Sequence, residues 1–451
     1  MTPAARIQAT IEITEQIASG GSADGVSSGY FRARRYIGSS DRSAIAEAVY
    51  SLLRRRARLD WWINLVLARS PESPPPPARH RMIALLILEQ GWTETRFAAE
   101  FDGDSYRPTP LSRAERQLLE MLAGQGLLDP RQPEWIRHEM PEWFLARFAA
   151  QYPAADAESL ARMNQPAAMD LRVNRLLGER SQVLATIKGS GISAEATELS
   201  PLGIRVGGRP SLAQFPFFQS GLVEIQDEGS QLIALLTEAR GGMKLLDYCA
   251  GAGGKTLALA AEMGNRGRII ASDISARRLD RASQRLKRAG VHNVELRPLE
   301  PAHNKWFKRQ AQSFDRVLVD APCSGSGTWR RNPDMKWKFS PAEILELSQR
   351  QAMILAAAAK FVKPAGGRLI YSTCSLLPEE NTEVIADFMA AHPGQFRRLA
   401  VAEIWSRTVG TPLPQGVGEF MQLAPHLHGT DGFFCAVLEN TQPALEHFPH
   451  L

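Results

Sequence analysis

The sequence predicts an α/β protein whose parallel sheet lies in the C-terminal half of the chain. From about residue 223, short apolar strands end in loops and are followed by helical patterns. "KLLDYCAGAGG" leads into "KTLALAAEM", "GRIIASDIS" leads into "ARRLDRASQRLKRAG", and "FDRVLVDAPC" and "GRLIYSTCS" are two more strand–loop pieces. This alternation predicts a parallel sheet with helices on both faces. Ligands bind such sheets at the carboxyl ends of the strands, where these loops lie.

Composition narrows the class of protein. The chain has 451 residues, 44% of them apolar, which is enough for two or three globular domains. Lys and Arg number 53 against 48 Asp and Glu, a formal charge of +5. A mildly basic surface or a polyanionic partner would each explain that excess. The four cysteines include no CxxC pair, so we expect no metal site. No signal peptide or membrane-length apolar run is present, so we expect a cytoplasmic protein without membrane partners.

Residues 1–137 have apolar residues at helical spacing and no strand-like alternation. "SPESPPPPARH", residues 70–80, must break any helix and predicts a loop inside this region. The run Arg54, Arg55, Arg56 and Arg58 has two interpretations. It is either a solvated helix face or a contact surface for RNA.

Residues 138–222 predict a small α+β module. "MDLRVNRLL" and "GIRVGG" read as short strands, and "RSQVLATIKGSG" between them reads as a helix. Further along the chain, Ser340, Pro341 and Glu343 predict a helix start with a capping box. The domain with the parallel sheet is then expected over residues 223–440.

Two features of the sheet region suggest a bound nucleoside. "LDYCAGAGGKT", Leu246 to Thr256, is a glycine-rich turn between a strand and a helix, which lets the backbone approach a ligand closely. Asp273 ends the next strand, where a carboxylate can accept both hydroxyls of a ribose. Either feature alone also fits an ordinary tight bend or a strand end.

Cysteines follow two strands of the predicted sheet. Cys323 and Cys374 lie in loops rich in Gly, Ser and Pro, and both should reach the same sheet edge. Buried cysteine usually behaves as a small apolar residue, which suits Cys435 in "DGFFCAVLE" and, less well, Cys249. Two thiols in polar loops beside a nucleoside site instead suggest catalysis.

These motifs resemble a known family. "DAPCSGSG" together with "YSTCSLLPEEN" resembles the paired cysteine motifs of the Sun/Nop family of RNA cytosine-5 methyltransferases, in its RsmB-like branch. "VEIQDEGSQL", "CAGAGGKT" and "GTDGFF" are similar to further motifs of that family. The resemblance covers about residues 160–440, and residues 1–137 are more loosely similar to a NusB-like RNA-binding domain. It implies a Rossmann-like class I methyltransferase domain and S-adenosyl-L-methionine as cofactor.

The resemblance also implies roles for individual residues. Cys374 would be the nucleophile, Cys323 would assist product release, and Asp320 would line both donor and cytosine. Asp273 would hold the donor's ribose. The donor's methionine part would lie in the turn formed by Cys249, Ala250, Gly251, Ala252, Gly253, Gly254 and Lys255.

Two positions depart from the family pattern. Ala252 stands where the family usually has proline, which should loosen the turn. The family also carries an aspartate after the third strand, near the adenine, and in this sequence only Glu300 can serve there. Donor binding is therefore expected to differ at the adenine end.

The predicted reaction is methylation of carbon 5 of cytosine in RNA. A thiolate adds to carbon 6, and the resulting enamine can attack a methyl group. A DNA cytosine-5 methyltransferase is disfavoured because the Thr-Cys loop is not expected there. A non-catalytic RNA-binding or ribosome-assembly factor and a dehydrogenase would leave the cysteine loops unexplained. The RsmB-like resemblance implies ribosomal RNA as partner, with transfer RNA open; the sequence does not indicate the oligomeric state.

Overall fold

The computed structural model of the chain describes residues 1–70, 72–300 and 304–443. Two compact units contain these residues. The helical unit is Met1–Gln165 together with Trp329–Lys338. The sheet unit comprises Pro166–Thr328 and the described residues from Phe339 onward. The predicted division into three domains at residues 137 and 222 is not tested by this partition and stays a prediction.

The helical unit confirms the all-helical prediction for the N-terminal region. Its apolar side chains recur at helical spacing and pack into two buried clusters that contain, among others, Trp62 and Ile45. The predicted proline-rich loop joins α4 to α5, although residue 71 lies outside the described residues. The helices are α1 Pro3–Ala18, α2 Ala23–Ala33, α3 Ser39–Arg54, α4 Arg56–Val66, α5 Ala78–Gln90, α6 Glu94–Glu100, α7 Arg113–Leu122, α8 Glu134–Arg137, α9 Glu142–Gln151 and α10 Ala157–Arg162.

A segment from the second half of the chain, Trp329–Lys338, completes the helical unit. The Trp329 ring is buried and lies 4.4 Å from the Phe144 ring, centroid to centroid. Lys336 is also buried, and its Nζ donates a hydrogen bond to the Glu139 carbonyl at 3.1 Å. Burial lowers the pKa of Lys336 to about 8. Sequence reasoning placed this segment with the parallel sheet, because its packing partners are nearly 200 residues away in the chain.

The arginine run on α3 and α4 is engaged inside the helical unit. All four side chains are only partly exposed. Their partners are the Arg330 carbonyl for Arg54, Glu89 for Arg55, Asp60 for Arg56 and Glu139 for Arg58. The run is therefore not a freely solvated helix face. It stabilises the unit, a role that the two sequence-based interpretations did not include.

The predicted α+β module forms a four-stranded antiparallel sheet in the sheet unit. Both predicted strands and the predicted helix are present. The fourth strand pairs with the first, so it belongs to this sheet although it lies just beyond residue 222. The strand order is β2-β3-β1-β4. The elements are β1 Met169–Val173, α11 Arg180–Gly189, β2 Ala194–Ala196, β3 Gly203–Val206, α12 Pro216–Gln219 and β4 Val223–Ile225.

The larger sheet has eight strands and confirms the predicted fold class. Five neighbouring strands are parallel, in the order β9-β8-β5-β6-β7. Antiparallel β12 extends the sheet beside β9, and β10 and β11 pair with β12. The strands are β5 Lys244–Asp247, β6 Arg268–Asp273, β7 Val294–Pro298, β8 Arg316–Asp320, β9 Arg368–Thr373, β10 Phe396–Leu399, β11 Met421–Leu423 and β12 Phe433–Asn440.

The strands β6 and β7 follow β5 on one side of it, and β8 and β9 continue on its other side. This change of direction beside β5 creates the crevice in which such sheets bind ligands. Helices cover the sheet, and no helix in the described part of the chain is long and apolar enough to cross a membrane. The helices are α13 Glu228–Leu236, α14 Gly254–Glu262, α15 Ala276–Arg288, α16 Asn304–Arg309, α17 Pro341–Ala359, α18 Thr382–Ala391, α19 Val401–Thr408 and α20 Pro425–His428.

Two local predictions are confirmed in this unit. Ser340 caps α17, and the Glu343 side chain completes the capping box by accepting from the Ser340 backbone. Cys435 is fully buried in β12, as expected of a cysteine that fills the core. Both signals are local, so neighbouring residues were sufficient to reveal them.

Arg58→Ala should destabilise the helical unit by ~2–3 kcal/mol, because it removes the salt-bridge partner of the buried Glu139 carboxylate. The matched control is Arg116→Ala, an exposed arginine of α7, which should change stability by less than ~0.5 kcal/mol. Urea unfolding followed by tryptophan fluorescence measures both. Equal stability of the two variants, with weaker RNA binding for Arg58→Ala alone, would instead make the run an RNA contact.

Candidate active site

The glycine-rich turn lies at the carboxyl end of β5 and begins α14. Gly253 has φ 78°, in the left-handed region that favours glycine. A Cβ at that position would lie 2.9 Å from the Ala282 Cβ of α15. Gly251 also has a positive φ, 55°, and a Cβ there would meet nothing within 4 Å. The turn is therefore tight against α15 at Gly253 and open at Gly251.

Asp273 fixes this turn to the end of β6. One carboxylate oxygen accepts the Gly251 N–H at 2.9 Å, and the other accepts the Ser275 N–H at 2.8 Å. The Ala250 N–H donates to the Ser272 carbonyl at 2.8 Å. The two features that suggested a nucleoside site thus lie in direct contact.

Arg285 of α15 holds the turn from its other side. Its guanidinium donates to the Ala252 carbonyl at 2.8 Å and to Glu224 of β4 at 3.0 Å. Sequence reasoning expected a looser turn because Ala252 replaces proline. The structure supplies a different restraint there, an arginine that binds the carbonyl of Ala252 itself.

Asp247 is a buried carboxylate beneath the turn that sequence reasoning did not single out. Its Oδ2 accepts the Thr256 hydroxyl at 2.7 Å, and its Oδ1 has no hydrogen-bond partner among the described residues. Burial raises the pKa of Asp247 to about 7, and the charges of Asp320 and Asp273 add to the rise. The hydrogen bond from Thr256 acts in the opposite direction and lowers this pKa. An acidic oxygen without a hydrogen-bond partner among the described residues is thus buried beneath the turn.

A buried ion pair joins the turn region to the end of β8. Lys255 Nζ donates to Asp320 Oδ2 at 2.7 Å, and the Ser372 hydroxyl donates to Asp320 Oδ1 at 3.0 Å. Burial alone would lower the pKa of Lys255, but the charge and hydrogen bond of Asp320 raise it above its usual range. Lys255 therefore carries its charge inside the site, and Asp320 remains one-third exposed.

The two loop thiols lie side by side. Cys323 Sγ and Cys374 Sγ are 3.3 Å apart, and both residues are partly exposed. The hydrogen bond with Cys374 is the largest cause that raises the pKa of Cys323, followed by burial. Cys323 is therefore held as a neutral thiol. The neighbouring Cys374 is hydrogen-bonded to it and forms no disulfide.

One buried carboxylate ties the two cysteine loops together. Glu380 Oε1 accepts the Ser324 N–H at 2.8 Å and the Gln351 side-chain amide at 2.9 Å. Glu380 Oε2 accepts the Ser324 and Ser375 hydroxyls, each at 2.5 Å. Ser324 and Ser375 directly follow the two cysteines, so this carboxylate fixes the register of one loop against the other.

The backbone of the same loops meets the "GTDGFF" segment. The Gly327 N–H donates to the Cys374 carbonyl at 2.9 Å, and the Gly432 N–H donates to the Gly327 carbonyl at 2.8 Å. A Cβ on Gly327 would lie 2.3 Å from the Gly432 carbonyl oxygen. Only glycine permits this approach, which explains why both motifs contain one.

The structure brings most of the predicted site residues to one sheet edge. Glu300 lies two residues beyond β7 and is exposed, and no hydrogen bond or ion pair of the described residues joins it to the turn. It lines a depression with Phe307, Lys308 and Tyr248, which belongs to the glycine-rich turn. Burial raises the pKa of Cys249 well above its usual value, so this residue is a neutral thiol.

Sequence reasoning missed the residues that support the site. The signal available was the Cys-Ser pair repeated in both loops and the acidic "PEEN" that follows the second. Glu380, Ser324 and Ser375 meet only after folding, and Arg285 was read as an ordinary helix residue. No group of three or more His, Cys, Asp or Glu side chains in the described ranges is arranged to hold a metal ion.

The donor side of the site fits S-adenosyl-L-methionine. That molecule carries a sulfonium and an ammonium, and Asp247, Asp273 and Asp320 surround the turn with negative charge. The open space beside Gly251 leaves room for a ligand close to the backbone. Lys255 offsets part of the charge that these three carboxylates create.

Family models match two parts of the chain. Residues 234–439 match the model "16S rRNA methyltransferase RsmB/F", and residues 140–212 match the ferredoxin-like domain of RsmF/B-like methyltransferases. Three relatives are named ribosomal RNA small subunit methyltransferase B, with the prefix "probable" for the Synechocystis protein. The Photorhabdus laumondii protein is 31% identical over 88% of this chain and 90% of its own length, and the Sodalis glossinidius protein is 33% identical over 78% and 82%. The Synechocystis protein is 30% identical over 88% of this chain and 91% of its own length.

Solved structures share the fold. PH0851 superposes with a TM-score of 0.77 at 24% identity and covers 98% of this chain and 99% of its own. A methyltransferase homolog protein from Pyrococcus horikoshii gives a TM-score of 0.57 at 28% identity, covering 69% of this chain and all of its own. NSun6 from the same organism, solved with SFG, gives 0.59 at 20% identity over 68% of this chain and all of its own. These solved structures confirm the predicted fold, and the family models and relatives confirm the predicted family resemblance.

Glu380→Gln should lower stability by ~2–4 kcal/mol, because a side-chain amide cannot accept from all four donors that meet the carboxylate. The matched control is Glu403→Gln on the exposed surface of α19, which should be neutral. Thermal unfolding of both variants measures the difference. If Glu380→Gln has the same melting temperature as the control variant, the carboxylate does not hold the two cysteine loops together.

Asp247 should make stability fall as pH rises. Its folded pKa of about 7 exceeds the unfolded value of about 3.8, so between these values the folded state binds the extra proton. The contribution lost across pH 4–7 is at most ~4 kcal/mol. Asp247→Asn, which can still accept from Thr256, should lack this decline. Denaturant unfolding of wild type and variant from pH 4 to 8, without donor, tests it; parallel profiles would contradict a raised pKa.

Proposed function

The chain belongs to the RsmB/F family of 16S rRNA methyltransferases, and on that premise we propose that it methylates carbon 5 of a cytosine in small-subunit ribosomal RNA through a covalent cysteine adduct. Family membership makes it an S-adenosylmethionine-dependent RNA methyltransferase, as the sequence predicted. The observation that supports the covalent route is the pair of thiols 3.3 Å apart, beside the Lys255–Asp320 ion pair.

Cys374 is the attacking thiol in this proposal. Its thiolate forms a bond to carbon 6 of the cytosine, and the ring's electrons shift so that carbon 5 becomes nucleophilic. Lys255 is charged, buried and within electrostatic reach of Cys374, so its charge stabilises a thiolate there. Cys323, whose pKa is raised, is the less suitable attacker.

In this proposal, Asp320 stabilises the charge that develops on the cytosine ring. It accepts the 2.7 Å hydrogen bond of Lys255 and is one-third exposed, so it can reach an incoming base. As the thiolate adds, nitrogen 3 takes a proton or hydrogen bond from this pair and returns it when the adduct breaks down. The donor supplies an electrophilic methyl group; Asp273, the turn and Asp247 would hold it.

In this proposal, Cys323 assists release of the methylated cytosine from Cys374. After methyl transfer, the carbon 5 proton must leave, carbon 5 and carbon 6 regain their double bond, and the bond from carbon 6 to Cys374 breaks. While Cys374 is a thioether, it carries no negative charge and is only a weak acceptor for the Cys323 S–H. The two Cys374-dependent causes that raise the pKa of Cys323 are then weakened. Cys323, which is partly exposed, releases its own proton to water, and the resulting thiolate accepts the carbon 5 proton.

The RNA must present the cytosine outside a helix, because base-paired cytosine cannot enter a loop-lined site. The relatives are named for small-subunit ribosomal RNA, which makes that RNA the substrate we propose and the cytoplasm the expected location. Transfer RNA is the alternative substrate class. Bisulfite mapping of total RNA with and without the protein distinguishes the two.

The two thiols should have opposite trapping behaviour. Cys374→Ser should abolish methylation and covalent capture, because a serine hydroxyl is hardly ionised near neutral pH. Cys323→Ala should still attack and methylate but stall before release. It should accumulate a protein–RNA complex that survives denaturing electrophoresis and contains 5-methylcytosine.

Cys435→Ser is the matched cysteine control, since Cys435 is buried in the core and should affect only stability. The assignment is wrong if Cys374→Ala traps RNA and Cys323→Ala does not, which would make Cys323 the attacker. A folded wild-type protein that binds RNA but neither methylates nor traps it would instead support the non-catalytic assembly factor.

A further inference from the structure

We propose that the exposed face of α15 binds phosphates of the substrate RNA, with the backbone running past the donor side of the active site. The surface consists of Arg277, Arg278, Arg281 and Lys287, hereafter the α15 basic face. This inference rests on the proposed function, because it takes RNA to be the polyanion that meets these cations.

The α15 basic face is free to bind a ligand. All four side chains belong to exposed residues, and none has a salt-bridge or hydrogen-bond partner for its side chain among the described residues. The opposite face of the helix is apolar, with Leu279, Ala282 and Leu286 buried. Packing therefore fixes the helix by one face and leaves the cations of the other in solvent.

Helix stability does not explain these cations. Arg277 and Arg278 lie in the first turn of α15, which contains no acidic residue. The helix dipole disfavours positive charge at that end, and like charges so close repel each other. Asp280 is the acidic residue of the helix and cannot neutralise three neighbouring arginines. An anionic ligand would offset both penalties.

Several other arginines of the chain form ion pairs with carboxylates. Arg285 and Arg288, on the same helix, both bind the buried Glu224 carboxylate. Arg55 and Arg58 of the helical unit are paired with acids as well. The four cations of the α15 basic face have no such partners among the described residues, and unpaired cations grouped on one face suit the repeated charges of a phosphate backbone.

The position of the helix connects this face to the site. α15 begins three residues after Asp273, which fixes the glycine turn. Arg278 is near enough to Cys249 of that turn to act on its thiol electrostatically. RNA held by the α15 basic face therefore lies at the same sheet edge as the two thiols, as a strand delivering a cytosine must.

The test is a charge-matched pair of double variants. Arg277→Gln with Arg281→Gln removes two cations one helical turn apart. The control, Arg240→Gln with Arg266→Gln, removes two exposed arginines that precede β5 and β6 at the opposite sheet edge. Affinity for a fragment of small-subunit ribosomal RNA is measured by fluorescence anisotropy from 50 to 200 mM salt, beside donor affinity and methylation kinetics.

The α15 variant should lower the slope of log affinity against log salt by about 1.4–1.8, two phosphates at ~0.7–0.9 each, and the control should not. Its KM for RNA should rise at least tenfold, with kcat at saturating RNA, donor affinity and melting temperature unchanged. Equal salt slopes for both variants overturn the surface even if the enzyme methylates. A reduced slope in a protein that does not methylate would uphold the surface and remove the proposed function.

Discussion

The candidate active site depends on one buried carboxylate, Glu380, that accepts four hydrogen bonds and has no salt bridge to any cation in the described part of the chain. A desolvated carboxylate is costly unless every donor is placed correctly, so the arrangement tolerates little movement. Two of the donors are the serines that follow the cysteines. The separation of the thiols is therefore fixed by a group that touches neither sulfur. The Gly327–Gly432 backbone contact adds a second restraint on the same loops.

Charge balance is the second constraint on the site. Three carboxylates, Asp247, Asp273 and Asp320, end parallel strands at one edge, and Lys255 is the cation buried among them. With Asp247 near neutrality at physiological pH, the site carries a small negative charge that a cationic donor would neutralise. The same lysine interacts electrostatically with Cys374. One residue thus links the donor side of the site to the proposed nucleophile.

The fold was readable from the sequence because its signals are local. Apolar strands ending in glycine- or cysteine-containing loops, and the Ser340 cap, are each decided by neighbouring residues. The supporting residues were not readable, because Glu380 meets Ser324 across 56 positions and Arg285 meets the turn across 33. The packing of the Trp329–Lys338 segment within the helical unit was not readable for the same reason. Chemistry visible in a motif was predictable, whereas the contacts that hold the motif in place required the tertiary structure.

In the proposed mechanism, the order of the chemical steps follows from how the two thiols influence each other. Before the adduct forms, Cys374 raises the pKa of Cys323, which makes Cys323 the less suitable attacker. Bonding Cys374 to the cytosine would weaken that influence and leave burial, the second-largest cause, and the Glu380 charge. Attack by one thiol would thus prepare the other for release. The 3.3 Å spacing makes this coupling possible, and the spacing in turn depends on the carboxylate beneath the loops.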